Sequence, residues 1–216
     1  MPDPMIEIIR RALGRSEPLT SPPTPPPIPD SVARLVAKDG NLIDLFIKSA
    51  ADAHFQLARV TADQLRPELS QFLRQHHCKK IGIPASDVLD RLGIQKAIDD
   101  AGATVFRWDQ STLDAAYDLD CGVTDVYAAV AETGSLVIRP DPSHGRALSL
   151  VPPIHIAIVE PPNIVADLID LFEKIATAPS APNITIISGP SKTADIEGAL
   201  VTGVHGPGVV QVFLVG

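Results

Sequence analysis

Strand-sized apolar runs alternate with helix-spaced ones along the first half of the chain, and this alternation constrains the fold more than any other feature. Leu42, Leu45, Phe46, Ala50 and Ala53 recur at helical spacing. His54 to Val60 reads as a short strand. Thr61 to Gln75 then places Leu65, Leu69, Phe72 and Leu73 on one helical face. Pro67 must open or kink that helix, because an interior proline removes a backbone hydrogen bond. Lys79 to Ile83 is a strand ended by Pro84, Asp87 to Leu92 and Ile94 to Asp100 are helical pieces joined at Gly93, and Ala103 to Trp108 is the next strand. Strands alternating with helices imply a parallel or mixed α/β sheet.

Ahead of this body, Met5 to Leu13 suits a short amphipathic helix with Gly14 as its stop. Ser16 to Pro29 is dominated by proline, which forms neither helix nor sheet and runs extended. Residues 1–30 therefore read as a helix on a stiff arm that reaches a neighbouring subunit or partner, and 31–216 as the folded domain. Aromatic residues make up 4% of the chain, so the core must be mostly Ile, Leu, Val and Ala. The formal net charge of -8 argues against nucleic acid or an anionic membrane as partner, since both require basic patches. No run approaches the roughly 20 apolar residues of a membrane span, and the N-terminus lacks a signal-peptide core, which points to the cytoplasm. Cys78 and Cys121 lack C-x-x-C spacing and are too few for a four-thiolate cluster or a structural zinc. No dinucleotide fingerprint is present, so neither an iron–sulfur cluster, a flavin nor a metal is expected in this chain.

In the second half the apolar runs crowd together. Cys121 to Ala131 leads through Glu132-Thr133-Gly134 into Ser135 to Ile138, as a meander or a pair of short strands. Ile154 to Val159 reads as a buried strand, and Pro161-Pro162 as the opening of a helix carrying Ile164, Leu168, Leu171, Phe172 and Ile175. Ile184 to Ile187 is a further buried strand, broken by Ser188-Gly189-Pro190. Ser191-Lys192-Thr193 and the acidic Asp195 and Glu197 then read as a first helical turn. That arrangement reads either as an anion seat, with free N–H groups at the helix start and Ser191, Lys192 and Thr193 beside them, or as an ordinary strand-to-helix turn capped by Ser191 or Thr193. Lys192 would supply the local positive charge that an anion needs in a chain of formal net charge -8. Val204-His205-Gly206-Pro207-Gly208 precedes a final strand, Val209 to Val215.

Three further groups invite chemistry. Glu132 sits where a strand turns through Gly134, and its carboxylate either projects into a site or bonds the facing turn. His205, between glycine and proline, is either a general acid or base or a turn histidine. His155 alternates with Ile154, Ile156 and Ile158, which fits a satisfied core histidine, and His76-His77-Cys78 reads as surface. Asp125 is placed to line the Glu132 cleft, and Arg139 and Arg146 bracket a proline loop, where they either close over an anion or are simply solvated.

Glu132-Thr133-Gly134-Ser135, Leu150-Val151-Pro152-Pro153-Ile154-His155, Ser188 through Glu197, and Val204-His205-Gly206-Pro207 together resemble the lactate-utilisation protein C family, whose domain is the LUD domain. The resemblance runs from about Gly122 to the C-terminus. It implies a three-layer α/β/α fold with a mostly parallel (mixed) central sheet, similar to ribose-phosphate isomerase and the coenzyme A transferases, with the site at strand ends. Among the coenzyme A transferases a strand-end glutamate is a nucleophile, which is the role the resemblance implies for Glu132; with His205 as acid or base it forms the expected catalytic pair. Gly134, Ser188, Gly189, Ser191, Lys192, Thr193 and Gly206 are then the expected ligand-binding residues. The implied role is a non-redox component of a system that oxidises L-lactate to pyruvate beside iron–sulfur proteins. Two other readings stay open: an enzyme acting alone on a phosphorylated or acyl ligand, and a scaffold subunit.

Overall fold

The structure, a computed structural model, describes residues 4–15, 17, 26, 29, 34–110, 112–194 and 200–216, with the side chains of 193, 194 and 200–202 excepted. The chain divides into two compact units, Met1–Ala33 and Arg34–Gly216. In the first, α1 spans Pro4–Ala12, and Gly14 follows at φ 66°. Glu7 and Arg10 pair at 2.6 Å along the helix, while Ile6, Ile8, Ile9 and Leu13 are exposed. The proline-rich stretch lies outside the described residues save positions 17, 26 and 29.

The second unit begins with α2 (Leu42–Asp52), β1 (Gln56–Val60) and α3 (Ala62–Gln75). Thr61 starts α3 with a capping box, its hydroxyl accepting from Gln64 N while the Gln64 side chain accepts from Thr61 N. Pro67 therefore stands inside the helix and not at its start. Then come β2 (Lys80–Ile83), α4 (Asp87–Arg91), α5 (Ile94–Asp100), β3 (Thr104–Arg107) and β4 (Cys121–Asp125). Gly93, at φ 69°, makes the bend between α4 and α5. The chain continues through β5 (Ala128–Val130), β6 (Ser135–Ile138), α6 (Ala147–Leu150), β7 (Ile154–Val159), β8 (Ile164–Val165), α7 (Leu168–Thr177) and β9 (Thr185–Ile187). It closes with β10 (Lys192–Ala194), β11 (Leu200–Thr202) and β12 (Val209–Val215).

Six strands form a central sheet in the order β1-β12-β7-β4-β2-β3, and every pairing in it is parallel. Side chains alternate between its faces, as the pleat requires. Ile81, Ile83, Val123, Ile156, Ile158 and Phe213 face α3, α4 and α5, meeting Leu65, Leu69, Leu73, Leu89, Ile94 and Ile98. Ala157, Val159, Val210, Val212 and Leu214 face the other way, onto Phe46 and Ala50 of α2 and onto Leu136, Ile138 and Ile164. Those last residues belong to a second sheet, β8-β5-β6-β9, whose outer face packs on Leu171 of α7. The fold is thus a three-layer α/β/α arrangement whose second outer layer also carries a small sheet. Fully buried side chains such as Phe46, Leu65, Leu69 and Ile81 each contribute on the order of 1.5–3 kcal/mol.

Two expected elements differ. The helix expected from Pro161 starts only at Leu168, because Ile164 and Val165 pair with Ala129 and Val130, and Asp167 caps the helix through Asp170 N at 3.0 Å. The strand expected to be buried at Ile184 to Ile187 is an edge strand with Ile186 41% exposed. Cys78, read as surface, is buried beside Cys121. Burial pushes the Cys121 thiol well up, while its contact with Cys121 draws the Cys78 thiol down. No described helix is long and apolar enough to cross a membrane.

Candidate ligand-binding cleft

Two connections converge above the central sheet. The first leaves β9 through Ser188 and Gly189, the latter at φ 128°. A side chain at Gly189 would start 2.7 Å from the Ala53 carbonyl oxygen, so only glycine passes the end of α2 here. The second connection is Gly203 to Gly208, ahead of β12. Backbone bonds join the two: Ser191 N donates to Pro207 O at 2.8 Å, and Gly203 N donates to Ser191 O at 2.9 Å. Gly208 N donates to Pro153 O at 3.0 Å, which fixes the pair over the entry to β7.

Between them lies a cleft of about 280 Å³, lined by Ser149, Leu150, Ile186, Ser188, Gly189, Ser191, His205, Gly206, Pro207 and Val210 among others. The expected residues Ser188, Gly189, Ser191, His205 and Gly206 thus share one cavity. Its lining combines apolar side chains with serine hydroxyls and an imidazole, a combination suited to a small polar molecule.

The remaining expected residues stand elsewhere. Residues 192–194 form strand β10, paired antiparallel with 200–202, where a helix start was expected. The physical reason lies in Ser191: its N–H and C=O are both taken by Pro207 and Gly203, so the free N–H groups of a helix N-terminus are not offered there. Lys192 is exposed on that strand and does not line the cleft, and the Thr193 side chain, Asp195 and Glu197 lie outside the described residues. Glu132 also stands outside the cleft wall; its N–H donates to Ala166 O at 3.0 Å. Gly134, at φ 68°, is approached by a helix and not by a ligand: an added Cβ would lie 2.3 Å from Ala50 N of α2. Arg139 donates to Pro179 O and sits 5.5 Å over the Tyr127 ring, outside the cleft lining.

The cleft opens at the amino ends of β7 and β12, since Pro153 and Gly208 precede those strands. Parallel sheets more often hold ligands at the carboxyl ends. That end carries His144, which sequence reasoning overlooked, beside Asp125, which it had named. His144 Nδ1 lies 3.8 Å from Asp125 Oδ1 at the end of β4. Asp141 holds the loop by accepting from Ser143 N at 2.7 Å and His144 N at 2.9 Å; the Asp-Pro-Ser-His order was the available signal for this turn. His155 is fully buried, with Nε2 2.9 Å from Thr124 Oγ1. Burial pushes its pKa down to about 3, helped by the nearby His144. Burial also lowers His144, against the pull of Asp125 and Asp141. No cluster with metal-binding geometry occurs among the described residues.

The model of the LUD domain matches residues 43–215. The chain belongs to the LUD domain family. Lactate utilization protein C of Exiguobacterium sp. strain AT1b is 30% identical over 221 residues, covering 97% of this chain and 94% of the relative. Lactate utilization protein C 1 of Bacillus mycoides is 30% identical over 164 residues, 71% of this chain and 70% of that one. The crystal structure of a DUF162 family protein from Deinococcus radiodurans superposes with a TM-score of 0.56 at 23% identity, covering 81% of this chain and 96% of that one. This LUD domain therefore shares its fold with that protein.

Proposed function

We propose that this chain is a cytoplasmic, non-redox component of a lactate-utilising system, and that the amino-end cleft holds a lactate-sized ligand. The observation that carries this reading is the meeting of Ser188, Ser191 and His205 in one cavity, in a chain whose relatives are named for lactate utilisation. A volume of about 280 Å³ accepts a small hydroxy acid with room for water. Serine hydroxyls and an imidazole suit a carboxylate and a hydroxyl at once. Two cysteines cannot hold a four-thiolate cluster, so electrons from L-lactate pass to partner iron–sulfur proteins. The exposed Ile6, Ile8 and Ile9 make the N-terminal unit the part suited to join a second copy of the chain. An enzyme acting alone on an acyl or phosphorylated compound is less favoured, because Glu132 and Lys192 stand outside the cleft wall.

Calorimetry tests the cleft. L-lactate and pyruvate should bind the full chain, and His205→Ala should weaken both roughly 5- to 10-fold, the scale of one lost hydrogen bond. Lys192→Ala should stay within about twofold of wild type, because an exposed charge outside the cavity contributes little. If neither compound binds at tens of millimolar, the reading is wrong. Capture of iron–sulfur proteins by the tagged chain from lactate-grown cells tests the partnership.

A further inference from the structure

A row of hydroxyls leads out of the cleft. Ser188 Oγ, in the cleft wall, lies 2.7 Å from Ser135 Oγ. Ser135 Oγ lies in turn 2.7 Å from Thr133 Oγ1. Ser135 is 2% exposed, whereas Thr133 and Ser188 are exposed at the two ends. The pairing of Leu136 with Ile187 sets this geometry, because it brings the first residue of β6 across from the residue that follows β9.

Each hydroxyl owns one proton and two lone pairs. A row of three therefore has two self-consistent proton orders. In the outward order a ligand hydroxyl donates to Ser188, Ser188 to Ser135, Ser135 to Thr133, and Thr133 to solvent. In the inward order Thr133 donates to Ser135, Ser135 to Ser188, and Ser188 to a ligand acceptor. Neighbouring hydrogen bonds polarise one another, so a change at one end is carried along the row.

We propose that Ser135 is a positioning residue that lets Ser188 act as acceptor or as donor, so that the cleft binds a 2-hydroxy acid and its 2-oxo counterpart alike. The proposal rests on the lactate-sized reading of the cleft. A 2-hydroxy acid brings an O–H that donates; a 2-oxo acid brings a carbonyl that only accepts. The row accommodates each by reversing, with no atom moved other than hydroxyl protons and with no bond made or broken in the ligand.

The two proton orders fail differently when the row is cut. Without Ser135, a Ser188 that accepts from the ligand must turn its own proton to unfixed water in place of a held partner. A Ser188 that donates to the ligand only leaves a lone pair unfilled, which is the smaller loss. Ser135→Ala should therefore weaken L-lactate more than pyruvate, and raise the ratio of their dissociation constants roughly three- to fivefold over wild type. Thr133→Val at the exposed end should move the ratio the same way by less, and Thr133→Ser should leave it unchanged.

Calorimetry on the full chain with L-lactate and pyruvate reads the ratio for each variant. A ratio that moves in Ser135→Ala and Thr133→Val but not in Thr133→Ser supports the row. Equal weakening of both ligands by Ser135→Ala, or a Thr133→Val ratio equal to wild type, overturns it and leaves the cleft reading standing. A wild-type chain that binds neither compound removes the cleft reading, and the row with it.

Discussion

His155 titrates far from its ordinary range, at about 3 instead of 6.5, because the sheet buries it completely. A histidine whose folded pKa is depressed stabilises nothing in acid. Its unfolded form binds a proton that the folded form refuses, so stability is whole above about 6.5 and falls as pH drops toward 3. Urea denaturation should show a loss of up to about 1.4 kcal/mol per pH unit from this group between about 6.5 and 4.5, before most carboxylates titrate. His144, also lowered by burial, adds a smaller slope of the same sign. His155→Gln keeps a partner for Thr124 and removes the titration, so its slope should be shallower by about one proton; an unchanged slope would count against this account. The strand alternation around Ile154 and Ile156 made His155 legible as a core residue, because a two-residue period is a local property. His144 was not legible in the same way. Its place depends on the Asp141 turn meeting the end of β4, two segments joined only in space.

At the scale of elements, the reading succeeded where local chemistry decides and failed where a distant partner does. Thr61 and Gln64 fix the start of α3 by themselves, and Gly93 alone makes the α4–α5 bend. β10 is the opposite case: residues 192–194 have acidic neighbours that favour a helix start, yet they pair with 200–202 and hang from Pro207. Ser188 and His205, singled out in the sequence, therefore do share one cavity, whereas the strand geometry that presents them was not read. The turn between β5 and β6 gives a sharp test of packing. Gly134→Ala should destabilise the chain by at least about 2 kcal/mol in urea, since it combines a left-handed backbone with a Cβ placed against α2. A shift below about 0.5 kcal/mol would mean that α2 and this turn separate easily.

For the whole molecule, alternation announced a parallel sheet but not its order, because strand order is set by which crossovers pack and not by any residue. The exposed apolar residues of α1 carry a separate expectation. Removing residues 1–33 should lower the number of copies per particle seen by light scattering while leaving the melting temperature of residues 34–216 within a few degrees; an unchanged copy number would assign that unit to some other task. The sheet order also has a consequence for how the protein is made. β12, the last of the described strands to leave the ribosome, is not an edge addition but the piece between β1 and β7. Without β12, the strands β7-β4-β2-β3 have a second bare edge at β7 besides the one at β3, and β1 has no sheet neighbour at all. Unpaired parallel edges invite association with other chains. A fragment ending at residue 208 should therefore aggregate when residues 1–216 do not, and it should depend on chaperones until β12 is supplied.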